Sequence, residues 1–147
     1  MKISTKVRYA TRAMLELALQ SSQSPVLIDT IAKNQDLSKK YLETLLNTLK
    51  NNGLVKSVRG KGGGYKLNVD PDTVTVKDIY VAIEGAHAVV DCVNGEDFCM
   101  RGDICATQEL WSQITLSILS IMENHTLSDL VRRTREKQQH LNFMYYI

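Results

Sequence analysis

Residues 38–67, SKKYLETLLNTLKNNGLVKSVRGKGGGYKL, constrain the fold of this chain more than any other segment. Leucines in its first half recur at the i, i+3, i+4 and i+7 spacing of one helix face; they are Leu42, Leu45, Leu46 and Leu49. Ser38 suits the position before such a helix, because its hydroxyl can accept a hydrogen bond from an unpaired amide at the helix start. Gly53 suits the left-handed residue that ends a helix. Two short apolar runs follow, Val55–Val58 and residues 65–67, so the segment predicts a helix followed by a β-hairpin.

The other face of the predicted helix is polar, and the hairpin tip is basic and rich in glycine. The tip, residues 59–64, places Arg59 and Lys61 among four glycines, whose bare backbone would let the two cations approach a groove or phosphates closely. The tip is also compatible with a plain tight turn. A nucleotide-binding loop is excluded, because no helix follows and the Lys-Ser/Thr ending is absent. A polar helix beside a basic hairpin predicts a winged helix-turn-helix that grips DNA. The candidate DNA-binding residues are Ser38, Lys39, Lys40, Tyr41, Glu43, Arg59 and Lys61.

Helical periodicity also predicts the elements on either side of this segment. A first helix over residues 4–21 and a short second helix over Ile28–Gln35 precede the turn at residues 36–37. Thr75 can cap a helix over Val76–Glu84, and Thr126 can cap a last helix before a polar, mobile tail that begins at Arg132. The predicted fold is mainly α with a small β-hairpin wing. Its predicted parts are a DNA-binding domain at 1–84, a cysteine loop at 85–106, a dimerisation helix at 107–123, and a C-terminal helix and tail at 124–147.

The charge of the chain is unevenly placed. Residues 1–80 carry 13 Lys and Arg against 7 Asp and Glu, whereas residues 81–147 carry 5 against 9. A basic N-terminal half fits attraction to phosphates, although a solvated surface would show the same asymmetry by chance. No apolar run approaches the roughly 20 residues that span a membrane, and the N-terminus lacks the apolar core of a signal peptide. We therefore expect a cytoplasmic protein.

The helix predicted over residues 107–123 is too apolar for one buried face. Its apolar residues are Leu110, Trp111, Ile114, Leu116, Ile118, Leu119, Ile121 and Met122. A stripe this broad exceeds what one domain of this size needs to cover. A second copy of the chain would cover the surplus, which predicts a two-fold homodimer. The alternative is a helix buried within its own domain.

Three cysteines lie close together outside the predicted DNA-binding domain. Six residues separate Cys92 from Cys99, and five separate Cys99 from Cys105. An odd number of close cysteines in a cytoplasmic chain argues against a disulfide framework and favours metal or redox chemistry. Loops of this length could bring three thiolates to one point, and thiolates are the preferred ligands of iron–sulfur clusters. The spacing is equally compatible with three reduced cysteines that bind nothing.

Two motifs, the three cysteines and one dipeptide carry a family resemblance. The motifs are KxRYAxxAMLELA at residues 6–18 and LSxxYLExLLxxLxxNGLVxSVRGxGGGYxL at residues 37–67, and the dipeptide is Leu110–Trp111. With them the chain resembles the IscR-type family of winged-helix transcription regulators nearly end to end. The resemblance implies a homodimer, without enzymatic activity, that binds promoter DNA and senses through a [2Fe–2S] or related cluster on the cysteines. It also implies that Glu43 reads bases and that Arg59 enters the minor groove, roles that suit a carboxylate and a guanidinium.

The sequence departs from this family pattern at two positions. Iron–sulfur members often supply the fourth ligand from a histidine three residues past the last cysteine, and that position here is Gln108. Gln108 is our candidate fourth ligand; the alternatives are His87, Glu96, Asp97, His125 and a residue from the partner's first helix. Position 40 is Lys, where a small polar residue is common in the family, so phosphate contacts are expected to differ.

Three other functions remain compatible with the sequence. One is a nitric-oxide sensor of the same family that holds its cluster on the same cysteines. Another is a thiol-redox regulator without metal. The third, from a different class, is an electron carrier like a small ferredoxin, for which residues 39–67 would have no use.

Overall fold

Six helices and one β-hairpin make up the part of the chain that the computed structural model describes, which comprises residues 3–20, 24–85, 90–93 and 104–144. The elements are α1 Thr5–Leu19, α2 Ile28–Gln35, α3 Lys39–Asn51, β1 Val55–Val58, β2 Gly64–Leu67, α4 Val76–Glu84, a 3₁₀ turn at Asp91–Val93, α5 Ala106–Glu123 and α6 Leu127–Met144. The mainly α fold with a small hairpin agrees with the sequence prediction. Among the described residues, no helix is both long enough and apolar enough to cross a membrane.

The core lies where α1 and α3 pack against each other and against α4. The predicted leucine face of α3 is buried, and Leu42, Leu46 and Leu49 have no exposed surface. Met14 of α1 and Ile79 of α4 are equally buried in the same cluster. Burying a side chain of this size contributes about 1.5–3 kcal/mol. The core therefore fixes which face of α3 is left for solvent.

The connection between α2 and α3 is a tight turn. Asp36 adopts a left-handed conformation with φ of 52°, which ends α2. Leu37 N donates a hydrogen bond to Ala32 O at 2.9 Å, and the Leu37 side chain packs against the core. Ser38 then begins α3, because its hydroxyl accepts a hydrogen bond from Tyr41 N at 3.3 Å. The two helices and this turn form a helix-turn-helix.

The hairpin is anchored to the segment before α2. Strands β1 and β2 are antiparallel, with Val55 opposite Leu67 and Val58 opposite Gly64. Val26 then pairs with Tyr65, each donating its N–H to the other's carbonyl oxygen at 2.8 Å. Sequence periodicity did not predict this isolated bridge, because a single paired residue leaves no alternating pattern. The pairing fixes how the wing leaves the helical core.

The start of α6 is joined to the start of α4. Thr75 and Thr126 form an isolated bridge, and Leu127 is fully buried in the main core. Both predicted caps are present, since the Thr75 hydroxyl accepts from Asp78 N and the Thr126 hydroxyl accepts from Asp129 N, each at 3.2 Å.

The predicted mobile tail from Arg132 onward is wrong for the described residues, because α6 continues to Met144. The helix contains neither Gly nor Pro, and its Arg, Glu, Lys, Gln and Leu residues are good helix formers. An ion pair between Arg132 and Asp129 at 2.8 Å supports its first turns.

Candidate nucleic-acid interface and cysteine site

The exposed face of α3 is a polar ridge opposite the buried leucines. Ser38, Lys39, Lys40, Glu43, Thr44 and Asn47 are all exposed along it. Because the first turn of α3 also carries the positive end of the helix dipole, its amino terminus is electrostatically suited to phosphate. The structure therefore gathers most of the predicted DNA-binding residues on one surface.

Tyr41 differs from its neighbours because it is half-buried. Its ring meets the edge of the Tyr9 ring, with centroids 6.0 Å apart and planes at 85°. The Arg12 guanidinium lies 5.5 Å from the Tyr9 centroid and donates hydrogen bonds to the carbonyl oxygen of Gln35 and, at 3.0 Å, to its Oε1. These contacts join α1, the end of α2 and the start of α3. Sequence reasoning missed Arg12 because its hydrogen-bond partner, Gln35, lies in another helix.

Lys39 is paired with a carboxylate on α2. Its Nζ lies 2.8 Å from Asp29 Oδ1 and 3.1 Å from Asp29 Oδ2. The hydrogen bond and charge of Asp29, with a smaller contribution from the charge of Glu43, hold the pKa of Lys39 above its ordinary value. The ammonium is therefore fully protonated at neutral pH.

The wing tip presents Arg59 and Lys61 to solvent, as predicted. Gly60 and Gly62 have φ of 103° and 83°, and Gly63 N donates to Gly60 O at 2.9 Å. The glycines are required by this backbone, because L side chains rarely adopt such φ values. The tip is thus a tight turn that exposes two cations.

A buried carboxylate that the sequence analysis did not single out joins α1 to the end of α2. Glu16 is only 6% exposed. Its Oε1 accepts from Asn34 Nδ2 and from Gln20 Nε2, and its Oε2 accepts from Gln35 Nε2. Amide donors on both oxygens satisfy the buried charge. The only signal in the sequence was that Glu16, a charged residue, lies beside the apolar stripe of α1.

Two of the three cysteines lie in the described residues, and both are half-buried. Cys92 is in the 3₁₀ turn, and Cys105 is the residue that begins α5. Gln108 Nε2 donates a hydrogen bond to Cys92 O at 2.7 Å, and Cys105 Sγ lies 3.2 Å from Thr107 Oγ1. The Gln108 side chain thus holds the Cys92 backbone against the first turn of α5. Cys99, His87, Glu96 and Asp97 lie outside the described residues.

The two described cysteines are of the ligand type that iron–sulfur clusters use, and they lie on segments that the Gln108 side chain joins. Thiolate is the usual cluster ligand. Within residues 90–93, 104–144 and the rest of the described chain, no group of three His, Cys, Asp or Glu residues could hold a metal ion. A complete site would therefore need Cys99 or another residue from outside that part.

The helix-turn-helix, the anchored wing and the polar ridge define a winged-helix protein of the class that binds DNA. The chain belongs to the Rrf2 family, described as iron-dependent transcriptional regulators, whose sequence profile matches residues 3–133. It is a transcriptional regulator and not an enzyme. The electron-carrier alternative is therefore wrong.

Relatives of two kinds are similar to the chain. IscR of Yersinia enterocolitica is 40% identical over 131 residues, which cover 89% of this chain and 79% of that protein. CymR of Bacillus subtilis is 39% identical over 147 residues, which cover 100% of this chain and 100% of that protein. Both are named HTH-type transcriptional regulators.

Solved structures of both kinds share the fold. T. potens IscR has a TM-score of 0.78 at 36% identity, covering 94% of this chain and 91% of that one. CymR of B. subtilis, titled the global cysteine regulator, has a TM-score of 0.76 at 38% identity, covering 90% and 98%. An oxidised form of Staphylococcus aureus CymR has a TM-score of 0.71 at 34% identity, covering 89% and 96%.

Proposed function

We propose that the chain is a homodimeric regulator that binds promoter DNA and senses the state of a [2Fe–2S]-type cluster held by Cys92, Cys99 and Cys105. The observation that carries the proposal is the hydrogen bond from Gln108 to the Cys92 carbonyl. That bond holds the 3₁₀ turn that contains Cys92 against the first turn of α5, which Cys105 precedes. The same helix leads directly to the surface proposed for dimerisation.

The DNA-binding part of the proposal rests on the ridge of α3 and the wing. Glu43 is positioned on the exposed ridge to accept a hydrogen bond from a base edge in the major groove. Arg59 at the wing tip would enter the minor groove, and Lys39, Lys40 and Lys61 would contact phosphates. Ser38 and Tyr41 would fix the start of the helix against the backbone of the duplex.

The dimer part of the proposal rests on the exposed apolar surface of α5. Leu116 is 67% exposed and Ile121 is 62% exposed, and Leu110 and Trp111 are also exposed. Four large apolar side chains left exposed on one helix indicate an interaction surface, and a second copy is the occupant with matching chemistry. A two-fold dimer would place two α3 helices in major grooves about one helical turn, or 34 Å, apart.

In the sensing part of the proposal, Cys92, Cys99 and Cys105 hold the cluster, with Gln108 as the candidate fourth ligand. The bound cluster would supply a centre whose oxidation state or loss can be sensed. The described residues connect this site to the DNA-binding helices through α4. Ser4 Oγ donates to Glu84 Oε1 at 2.5 Å, and Asn52 Nδ2, at the end of α3, donates to Ala82 O at 3.2 Å. Cluster binding that orders residues 90–107 would act on both contacts and bias operator affinity.

The test compares cluster-loaded and cluster-free protein. Anaerobically purified protein should be coloured and contain iron and sulfide, and Cys92→Ala should remove the visible absorption. Glu109→Gln changes the first turn of α5, next to Gln108, without removing a sulfur, so it should keep the colour. Equal affinity of the two forms for every selected duplex would contradict cluster sensing, whereas absence of DNA binding would contradict the whole proposal.

A second candidate is a thiol regulator without metal. It is favoured by the full-length similarity to CymR, by the related structure of an oxidised CymR, and by half-exposed thiols near the start of α5. In that case anaerobic protein would be colourless, and a thiol oxidant followed by a reductant would change DNA affinity reversibly. Rapid bleaching of coloured protein by nitric oxide, with loss of DNA binding, would instead indicate the nitric-oxide sensor.

A further inference from the structure

The ion pair between Asp29 and Lys39 joins the first turns of the two helices of the helix-turn-helix. Asp29 lies in the first turn of α2, and Lys39 is the first residue of α3. The Lys39 ammonium is within 3.1 Å of both Asp29 carboxylate oxygens. The Lys39 side chain is 50% exposed and the Asp29 side chain is 70% exposed, so solvent and a bound polyanion can reach both.

Lys39 thus has a carboxylate partner at the end of α3 that is proposed to face DNA. An ammonium that already contacts two carboxylate oxygens has fewer N–H groups to offer a phosphate. A phosphate that approached Lys39 would also meet the negative charge of Asp29. DNA and Asp29 therefore compete for the same cation.

We propose that Asp29 limits the affinity of this protein for DNA by competing with the phosphate backbone for Lys39. The inference rests on the proposed DNA-binding function and identifies a residue that tunes it. When Lys39 moves to a phosphate, Asp29 takes up a salt cation in its place. The phosphate releases one cation and Asp29 takes one up, so the net number of cations released does not change. Lys39 therefore adds little to the salt dependence of binding.

The experiment measures fluorescence anisotropy of a labelled random-sequence duplex of about 30 base pairs, titrated with full-length protein over a series of salt concentrations. Asp29→Asn should bind about threefold more tightly at low salt, because Lys39 is released from its partner. The slope of log affinity against log salt should steepen by about 0.9, the value for one added phosphate contact. Asparagine is tolerated in the first turn of a helix, and a thermal melt would verify that the variant is folded.

Asp36→Asn is the matched control. It removes the same charge from the same helix-turn-helix, leaves the Asp29–Lys39 pair intact, and retains a residue type that tolerates the left-handed conformation at position 36. A smaller effect on both affinity and slope is expected. Equal effects of the two variants would show a general charge effect and overturn the proposal.

Lys39→Gln tests whether Asp29 acts through Lys39. In the Lys39→Gln background, Asp29→Asn should no longer steepen the slope. The same steepening in that background would overturn the proposal. If Asp29→Asn binds DNA with the same affinity and slope as the unchanged protein, the inference fails while DNA binding stands. If the unchanged protein binds no duplex at low salt, the proposed function itself fails.

Discussion

At the scale of single residues, side chains on α3 divide between holding the helix in place and facing outward. Leu42 and Leu46 are fully buried, whereas Glu43, between them in the chain, is exposed. Tyr41 belongs to both groups, because its half-buried ring packs against Tyr9. The outward residues can therefore change their chemistry without changing the core, which suits a surface that sets binding specificity.

Glu43→Ala should reduce discrimination at one base pair of the operator by about 1–3 kcal/mol, because a base-edge hydrogen bond is lost. Affinity for the full set of single-base variants of a selected duplex would measure the effect. Asn47→Ala, on the same ridge, should change base discrimination at a different operator position or at none. If the Glu43 variant kept the same base preference at every position of the duplex, Glu43 would not be a residue that reads bases.

Gly64→Ala should destabilise the wing by about 1–3 kcal/mol. A Cβ at this position would overlap the carbonyl oxygen of Val26, which pairs with Tyr65, so the backbone at Val26 would have to move. Urea denaturation would measure the loss. Gly60→Ala is the control, because φ there is also positive but a Cβ meets no atom within 4 Å. Equal losses in the two variants would show that backbone strain alone, and not the Val26 contact, matters.

At the scale of elements, helix starts are defined by polar side chains that satisfy free amide groups. Ser4, Ser38 and Thr75 each accept a hydrogen bond from a backbone N–H two or three residues into their helix. Thr126 and Asp129 do the same at the start of α6, where each side chain bonds the other's backbone N–H. These local bonds explain why helix starts were predictable to within a residue or two.

Asp129 should make the start of α6 sensitive to acid. Hydrogen bonds from the backbone and side chain of Thr126 hold the pKa of Asp129 below its ordinary value of 3.8. A lowered pKa means that the ionised form favours the folded state, so its contribution is present above pH 3.8 and is lost as pH falls through the lowered pKa. Asp129→Asn should therefore lower the urea midpoint at neutral pH, and the difference should shrink in acid. A constant difference for Asp129→Asn across this pH range would contradict this explanation.

At the scale of the whole molecule, four large apolar side chains of α5 are exposed in the part of the chain that the structure describes: Leu110, Trp111, Leu116 and Ile121. Thr115 is the buried residue of this helix, while Leu116 and Ile121 are mostly exposed. The cysteine segment enters this helix at its start, so assembly and sensing would share one element. This arrangement would let a change at the cysteines reach both copies of α3.

Leu116→Glu should shift the protein from dimer to monomer, because a charge replaces apolar area at the centre of the proposed interface. Sedimentation at matched concentrations would measure the change, and affinity for a two-fold symmetric duplex should fall by more than about tenfold. Gln139→Glu adds the same charge at an exposed position of α6, outside the proposed interface, and should remain dimeric. A dimeric Leu116→Glu protein would place the interface elsewhere.

Much of the fold and part of the site followed from sequence alone. Helical spacing in residues 38–51 predicted the buried leucine face and, by difference, the exposed ridge with Glu43. Glycines at 60 and 62 predicted the exposed tip with Arg59 and Lys61. The main error was the prediction of a mobile tail from Arg132, where α6 in fact continues. Polar residues at the end of a helix are equally compatible with a tail and with a solvated helix.

The amino-acid sequence by itself determined the helices, the turn, the wing and the face that each helix buries, because these depend on neighbours within a few residues. Only the tertiary structure decided that Val26 joins the wing, that Asp29 holds Lys39, and that Gln108 holds Cys92 against α5. Each of these contacts joins residues of different elements. Periodicity reports the geometry of one element, whereas the meeting of two elements is set by how their buried faces pack.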